Sequence, residues 1–293
     1  QASWLGQLLV LGVICVVLEQ LRHSFDSPGP SNIASLVCLV LIMSVTLQCL
    51  KQSLATAQIA ITGMSRFMEL LLPMIMALML AMGHGAVVAV MKPLVLGVLS
   101  FLTIQVRYIV FPLIMIYLAL ILANGLLEKH PVTQLAKFVK QLVQWGIGLT
   151  MTLFSAALAV SGGFAGVVDG VTLRTAKFMA SNVIPVAGKL FADVLDSAAG
   201  ASLLLKSSLG AIGLLVIMVT LGLPLMQIFL QAMVLRLAGA VLEPLGDSRT
   251  SSLLSELSSV LMLIFTALGA VGMMVLLAMG AMLLAGNTAI MLR

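Results

Sequence analysis

Apolar runs long enough to cross a lipid bilayer constrain this chain more than any other feature. A bilayer core about 30 Å thick needs roughly 20 apolar residues in a helix, and runs of about that length recur along the sequence. Of the 293 residues, 61% are hydrophobic and 9% are charged, whereas a soluble domain carries about 25% charged residues. The chain therefore cannot cover itself with a polar surface, and the sequence predicts an all-α polytopic integral membrane protein.

The runs differ in length and in what interrupts them, and they predict about six full spans plus two re-entrant or short hairpin elements. Leu94–Leu127, which contains Pro112, is one kinked helix or two tight ones, and Leu70–Met91 is a hairpin or two short spans. Proline removes a backbone hydrogen bond and clashes with the preceding turn, so Pro112 and Pro224 are predicted to mark a kink or break. The runs are Trp4–Leu18, Ile33–Leu50, Leu70–Met82 with its continuation to Met91, Leu94–Leu127, Trp145–Val168, Leu209–Leu242 and Val260–Leu284.

An amphipathic segment precedes Trp145. Its apolar residues recur at spacings of three and four, which predicts a helix that lies in the membrane interface. The apolar face holds Leu135, Phe138, Val139, Leu142 and Val143, and Lys137, Lys140, Gln141 and Gln144 lie on the other side.

Landmarks repeat along the chain at a nearly constant offset of about 110 residues, which predicts a parallel internal duplication. The single membrane domain, 1–293, would then consist of repeats 19–127 and 128–242 with partial repeats 1–18 and 243–293. An apolar chain also matches itself by coincidence, and that alternative stays open. The landmarks are Leu-Glu pairs ending at Glu19, Glu128 and Glu243, which lie 109 and 115 residues apart, and the pairs Pro73/Pro112 and Pro185/Pro224, each separated by 39 residues.

The two predicted repeats differ after their first proline. The stretch after Pro73 is apolar, whereas the stretch after Pro185 carries Lys189, Asp193 and Asp196 at a spacing that places them on one helical face. At membrane depth such residues are costly and face a cavity or one another; the alternative is an interfacial helix with its charges in water. The residues predicted to form a conduit or docking face are Arg174, Lys177, Asn182, Pro185, Lys189, Asp193, Asp196 and Lys206.

Two short motifs concern helix packing and helix ends. Gly162, Gly166 and Gly170 recur every four residues, a spacing that predicts a close helix neighbour. A turn-rich loop carries Glu243, Asp247 and Arg249. Its simplest interpretation is a capped helix start at Ser251 or Ser252.

No constellation of residues indicates an enzyme, a cofactor site or a metal site. The three histidines are far apart in sequence, and the three cysteines lie in apolar runs, where they act as small hydrophobic residues. Ala187-Gly188-Lys189 lacks the earlier glycine and the following Ser or Thr of a phosphate-binding loop. The net charge is +5, but no basic stripe with interleaved aromatic residues is present, so the sequence predicts no nucleic-acid partner.

Several motifs in the second half of the chain carry a family resemblance. They are Arg174-Thr175-Ala176-Lys177-Phe178, the run from Asn182 to Asp193, the run from Ala201 to Lys206 with Gly210, and Pro244-Leu245-Gly246-Asp247-Ser248-Arg249. By these motifs most of the chain, and residues 171–250 above all, resembles the stage III sporulation protein AE family. The resemblance departs from the family in lacking its signal sequence and N-terminal extracytoplasmic region, as expected of a fragment that begins with Gln1.

This resemblance implies a multi-pass subunit of the sporulation channel in the mother-cell membrane that surrounds the forespore. The implied partners are an ATPase and ring-forming proteins, besides membrane lipid and, as a further option, other copies of the chain. The charges of the loops do not give the orientation; the resemblance places the Lys137 helix in the cytosol. The alternative function is a stand-alone secondary transporter with parallel repeats.

Overall fold

The protein is helical throughout the part of the chain that the structure, a computed structural model, describes. The backbone is described for residues 30–81, 103–126, 132–157, 187–245 and 248–285, with single positions between 85 and 101, and the side chains for 40–81, 103–125, 132–157, 208–244 and 250–282. A helix satisfies its own backbone N–H and C=O groups, which is what a bilayer requires of a spanning segment. Within these ranges the all-α prediction is confirmed.

The first helix, α1, runs without interruption from Pro30 to Ala81. The sequence predicted separate elements at Ile33–Leu50 and Leu70–Met82, and that separation is wrong. The polar stretch between them is helical because it continues the buried stripe, in which Ala57, Ala60, Ile61, Met64 and Met68 are all buried. Its 52 residues correspond to about 78 Å of helix, which is more than one crossing of a bilayer core.

The predicted interruption near Pro112 is present as a change of helix type. A π-helical turn, Val106–Val110, leads directly into α2, Phe111–Leu126. Pro112 cannot donate a backbone hydrogen bond, and its ring crowds the carbonyl four residues earlier, which belongs to Tyr108 within the π-turn. The wider π-turn accommodates that proline, so Thr103–Gly125 forms one candidate span.

The third helix, α3, covers 133–157. It joins the predicted amphipathic segment and the start of the predicted span Trp145–Val168 into one element. Only part of the predicted apolar face is packed: Val139 and Val143 are buried, whereas Leu135, Phe138 and Leu142 are exposed. The buried face instead continues through Ala136, Ile147 and Phe154.

Two long helices follow, α4 from Ala187 to Leu242 and α5 from Ser248 to Ala285, with a 3-10 turn at Glu243–Leu245 between them. The predicted spans Leu209–Leu242 and Val260–Leu284 match the candidate spans Ser208–Leu242 and Thr250–Met282. The helix α4 continues through Pro224 without a break. Of these two spans, the α5 segment is 61% buried and the α4 segment only 22%, so α5 lies in the core and α4 presents much of its apolar surface outward.

The helices form two compact units. The described residues of the first unit come from Gln1–Ala60, Val106–Ile147 and Gly222–Gly269, and those of the second from Ile61–Gln105, Gly148–Leu221 and Ala270–Arg293. Each unit takes residues from both predicted repeats.

Several predicted features remain predictions. The described residues contain four candidate spans, and Trp4–Leu18 lies outside those residues. The count of six spans, the re-entrant elements and the duplication are not confirmed.

Candidate functional site

A buried polar contact joins α1 to α4 inside the first unit. Ser53 is fully buried and Gln231 is 8% exposed, and Ser53 Oγ lies 2.5 Å from Gln231 Oε1 and 2.9 Å from the carbonyl oxygen of Cys49. A serine hydroxyl has one proton to donate. Turning the Gln231 amide over places Nε2–H toward Ser53 Oγ, so that the amide donates to the hydroxyl and the hydroxyl donates to Cys49.

A second buried hydroxyl joins α5 to α4 next to this contact. Ser258 Oγ donates to the carbonyl oxygen of Ala232 at 2.9 Å, one position after Gln231. We refer to Ser53, Gln231, Ser258 and the Ala232 carbonyl as the polar layer. It connects three helices through buried groups, and interhelical hydrogen bonds of this kind contribute about 0.6–2 kcal/mol each in membrane proteins.

The ends of four helices meet at one end of the first unit. Ser251 Oγ donates to the carbonyl oxygen of Gly239 at 2.8 Å, which joins the end of α4 to the start of α5. Asn124 receives a hydrogen bond from the Val132 N–H at 3.2 Å and donates to Thr133 at 3.3 Å, which closes the connection from α2 to α3. We call this the Gly239 end.

Glycines at the Gly239 end allow close helix contact. A Cβ on Gly239 would lie 3.1 Å from the backbone oxygen of Ser251 and 3.4 Å from Leu254 Cβ, and one on Gly125 would collide with Leu253 and come within 3.1 Å of Met43 Cε. Both glycines therefore pack against the first turns of α5, which is how small residues bring membrane helices together.

The second unit has a smaller set of comparable contacts. The hydroxyls of Ser65 and Thr103 lie 2.9 Å apart, which joins α1 to the helical segment before the π-turn. A side chain at Gly213 would meet Met279 and Leu71, and one at Gly272 would meet Leu221. Here too, small residues bring α4 and α5 together, with Gly213 of α4 facing Met279 of α5 and Gly272 of α5 facing Leu221 of α4.

Most predicted site residues lie outside the described residues or lack described side chains. Lys189, Asp193, Asp196 and Lys206 are in α4, so the helical backbone that their spacing requires is present. Glu243 is exposed in the 3-10 turn. Arg174, Lys177, Asn182, Pro185, Gly162, Gly166, Gly170 and Asp247 are outside the described residues, and Arg249 is in the first turn of α5.

The interpretation of the loop as a helix capped at Ser251 or Ser252 is wrong. The helix α5 already begins at Ser248. The Ser251 hydroxyl is used between helices, because its acceptor is the Gly239 carbonyl of α4. A local motif cannot distinguish these two uses, since both need only a serine near a helix start.

Sequence reasoning also missed the polar layer. A glutamine or serine within an apolar run is a weak indication of an interhelical contact, because either residue can also bond to its own helix. Ser53 does both. Among the described residues, no group of three or more His, Cys, Asp and Glu side chains is placed to hold a metal ion.

The polar layer leads to an asymmetric stability prediction. Ser53→Ala should lower the free energy of unfolding by about 1–3 kcal/mol, because it leaves the buried Gln231 amide without its Ser53 partner. Gln231→Leu, alone or combined with Ser53→Ala, should be close to neutral, because replacing the amide by an apolar side chain removes the group that needs a partner.

Thermal unfolding in detergent measures these changes. Ser259→Ala is the matched control, since the Ser259 hydroxyl bonds only to Ser255 in its own helix. Equal destabilisation by all three variants and the control would contradict the prediction.

The fold and these contacts define an α-helical membrane protein, with four described helices long and apolar enough to cross a bilayer and helix contacts made by small and hydroxyl-bearing residues. A family model described as Stage III sporulation protein AE (spore_III_AE) matches residues 1–286. The Stage III sporulation protein AE of Bacillus subtilis (strain 168) is 31% identical over 289 residues, which are 99% of this chain and 72% of that protein. The chain therefore belongs to the stage III sporulation protein AE family. No solved structure matches it.

Proposed function

We propose that this chain is a membrane-embedded subunit of a multiprotein channel or secretion apparatus that acts between mother cell and forespore during endospore formation. Family membership supports the role in sporulation. The structural observation that carries the proposal is the division of α4 into two parts of opposite chemistry.

The C-terminal part of α4 is apolar on its outside. Exposed Leu215, Val219, Leu223, Met226 and Leu230 recur at spacings of three and four, which is one helical face. Such a face suits acyl chains or the helices of neighbouring subunits. The N-terminal part of the same helix instead carries Lys189, Asp193, Asp196 and Lys206, which suits a wet surface or a docking partner.

The proposed site is accordingly the ionisable face of α4 from Lys189 to Lys206, together with Arg174, Lys177, Asn182 and Pro185 before it. The proposed location is the mother-cell membrane around the forespore. The partners proposed for it are other subunits of the apparatus, an ATPase and ring-forming proteins among them.

Isolation from sporulating cells tests this function. The tagged full chain is expressed in place of the host's own relative and is purified from detergent-solubilised membranes. It should be recovered as a large complex that contains other sporulation proteins. An unrelated tagged membrane protein is the control.

The secondary transporter is the second candidate, because intramembrane charge and long helices with internal proline also suit it. The transporter hypothesis predicts that the purified protein has the size of one chain or of a homo-oligomer. It also predicts that the protein functions without the other sporulation proteins. That result would overturn the channel proposal.

A further inference from the structure

Among the side chains of the first unit that the structure describes, the cations are concentrated at the Gly239 end. Lys51 on α1, Lys137 on α3 and Arg236 on α4 are exposed, and Lys140 on α3 is half-buried. Within the part of the chain that the structure describes, none of the four makes an ion pair.

Distances along the helices place these four residues at a similar depth. Arg236 precedes Gly239 by three residues, Lys137 and Lys140 follow Thr133 by four and seven, and Lys51 follows Met43 by eight. Met43 lies at this end, because it is next to Gly125. At 1.5 Å per residue, all four are within about 12 Å of the Gly239 end along their helices.

Helix direction lets the lysine side chains extend toward that end. A helical side chain leans toward the N-terminus of its helix, and α3 and the part of α1 after Met43 both run from the Gly239 end into the first unit. Lys51, Lys137 and Lys140 can therefore extend their ammonium groups toward the Gly239 end while their alkyl stems stay against apolar surface.

Acidic residues at this end do not balance the cations. Glu243 is exposed and Glu256 is half-buried. Among the side chains that the structure describes at this end, four cations therefore stand against two carboxylates, and the balance is positive.

Exposed apolar side chains lie among the cations as well as beyond them. On α3, Phe138 is next to Lys137 and Trp145 is 78% exposed. On α4, the exposed Leu237 is next to Arg236. Cations interleaved with exposed apolar side chains and a tryptophan suit the membrane interface, where headgroups and acyl chains meet.

We propose that the Gly239 end of the first unit binds the headgroups of anionic phospholipids through Lys51, Lys137, Lys140 and Arg236. The exposed apolar side chains among the cations favour lipid over an acidic soluble protein, because phospholipids supply acyl chains together with their anionic headgroups. The inference rests on insertion into a bilayer, which the proposed function shares, and not on the channel itself.

The experiment reconstitutes the full chain into bilayer discs of phosphatidylcholine with and without phosphatidylglycerol and measures the lipid that the protein retains by native mass spectrometry. Wild type should retain phosphatidylglycerol in preference. Because a cation near an anionic surface contributes about 1 kcal/mol, each of Lys51→Gln, Lys137→Gln, Lys140→Gln and Arg236→Gln should lower that preference about fivefold at low salt. The effect should shrink as ionic strength rises.

Arg107→Gln is the matched control. Arg107 is an exposed cation at the opposite end of the first unit, 5.9 Å from the ring of its neighbour Tyr108, and its replacement should leave the preference unchanged. Lipid preference is compared only for variants whose thermal unfolding matches that of the wild-type protein. Because there are four such variants, a folding defect in one of them does not prevent the test.

Three results would overturn the inference. The first is equal retention of the two lipids by the wild-type protein. The second is a loss of lipid preference in Arg107→Gln as large as in the four variants. The third is an unchanged lipid preference in the four variants together with loss of an acidic protein from the complex isolated from cells. None of them affects the channel proposal, which is decided by the size and composition of that complex.

Discussion

Asp193→Ala combined with Asp196→Ala is expected to abolish sporulation and to leave the amount of the protein in the membrane unchanged. Both residues lie in the continuous helix α4, three positions apart and therefore on one face, with Lys189 one turn before Asp193. An ionised side chain within a membrane costs about 2.5–3.5 kcal/mol on insertion scales. If this part of α4 lies at membrane depth, three such residues persist there only when water, one another or a partner compensates them, and a conduit or docking face does so.

The matched control keeps the charge. Asp193→Glu combined with Asp196→Glu should retain most of the function, because the carboxylates remain on the same face. Spore counts report function, and immunoblotting of membranes reports the amount of protein. A fully active double-alanine variant would reduce these residues to a solvated helix face. A variant that disappears from the membrane would make the two aspartates structural, with Lys189 left as an uncompensated charge.

Gly239→Leu is expected to destabilise the first unit strongly. Even the first side-chain carbon would lie 3.1 Å from the Ser251 backbone oxygen, and a backbone atom cannot rotate away as a flexible side chain can. The helices α4 and α5 would have to separate, which also breaks the hydrogen bond from Ser251 to Gly239. Overpacking of this kind costs about 1–3 kcal/mol and occasionally more.

Gly222→Leu is the comparison for this variant. Gly222 lies in the same helix, and no atom is within 4 Å of the position of its added Cβ. The unfolding temperature in detergent should therefore fall for Gly239→Leu and change little for Gly222→Leu. Similar unfolding temperatures for the two variants would mean that α4 and α5 do not pack closely at Gly239.

The spans of α4 and α5 were predictable because hydropathy is a local property. Leu209–Leu242 and Val260–Leu284 are long, apolar and almost free of charge, and the structure places candidate spans over both. The polar part of α1 was harder to assign, because Lys51, Arg66 and Glu69 suggest a connection between helices. Their side chains are exposed, and the opposite face of the same stretch is buried, so the helix continues.

Pro112 and Pro224 show the limit of local rules. Both prolines remove a backbone hydrogen bond in the middle of an apolar run. At Pro112 the helix changes to the π-turn Val106–Val110, whereas at Pro224 the α-helix continues unbroken. The same rule applies to both prolines, and the difference arises in the surroundings of each helix.

The sequence by itself determined the class of the protein, the positions of two spans and the helical spacing of Lys189, Asp193 and Asp196, because these follow from composition and from residues close together in the chain. Only the tertiary structure decided which part of the apolar face of α3 is packed, with Val143 buried and Leu142 exposed. It also decided that Ser53 meets Gln231, 178 residues away along the chain. A side chain in an apolar helix can face lipid or another helix, and that choice depends on the partner helix that the fold brings beside it.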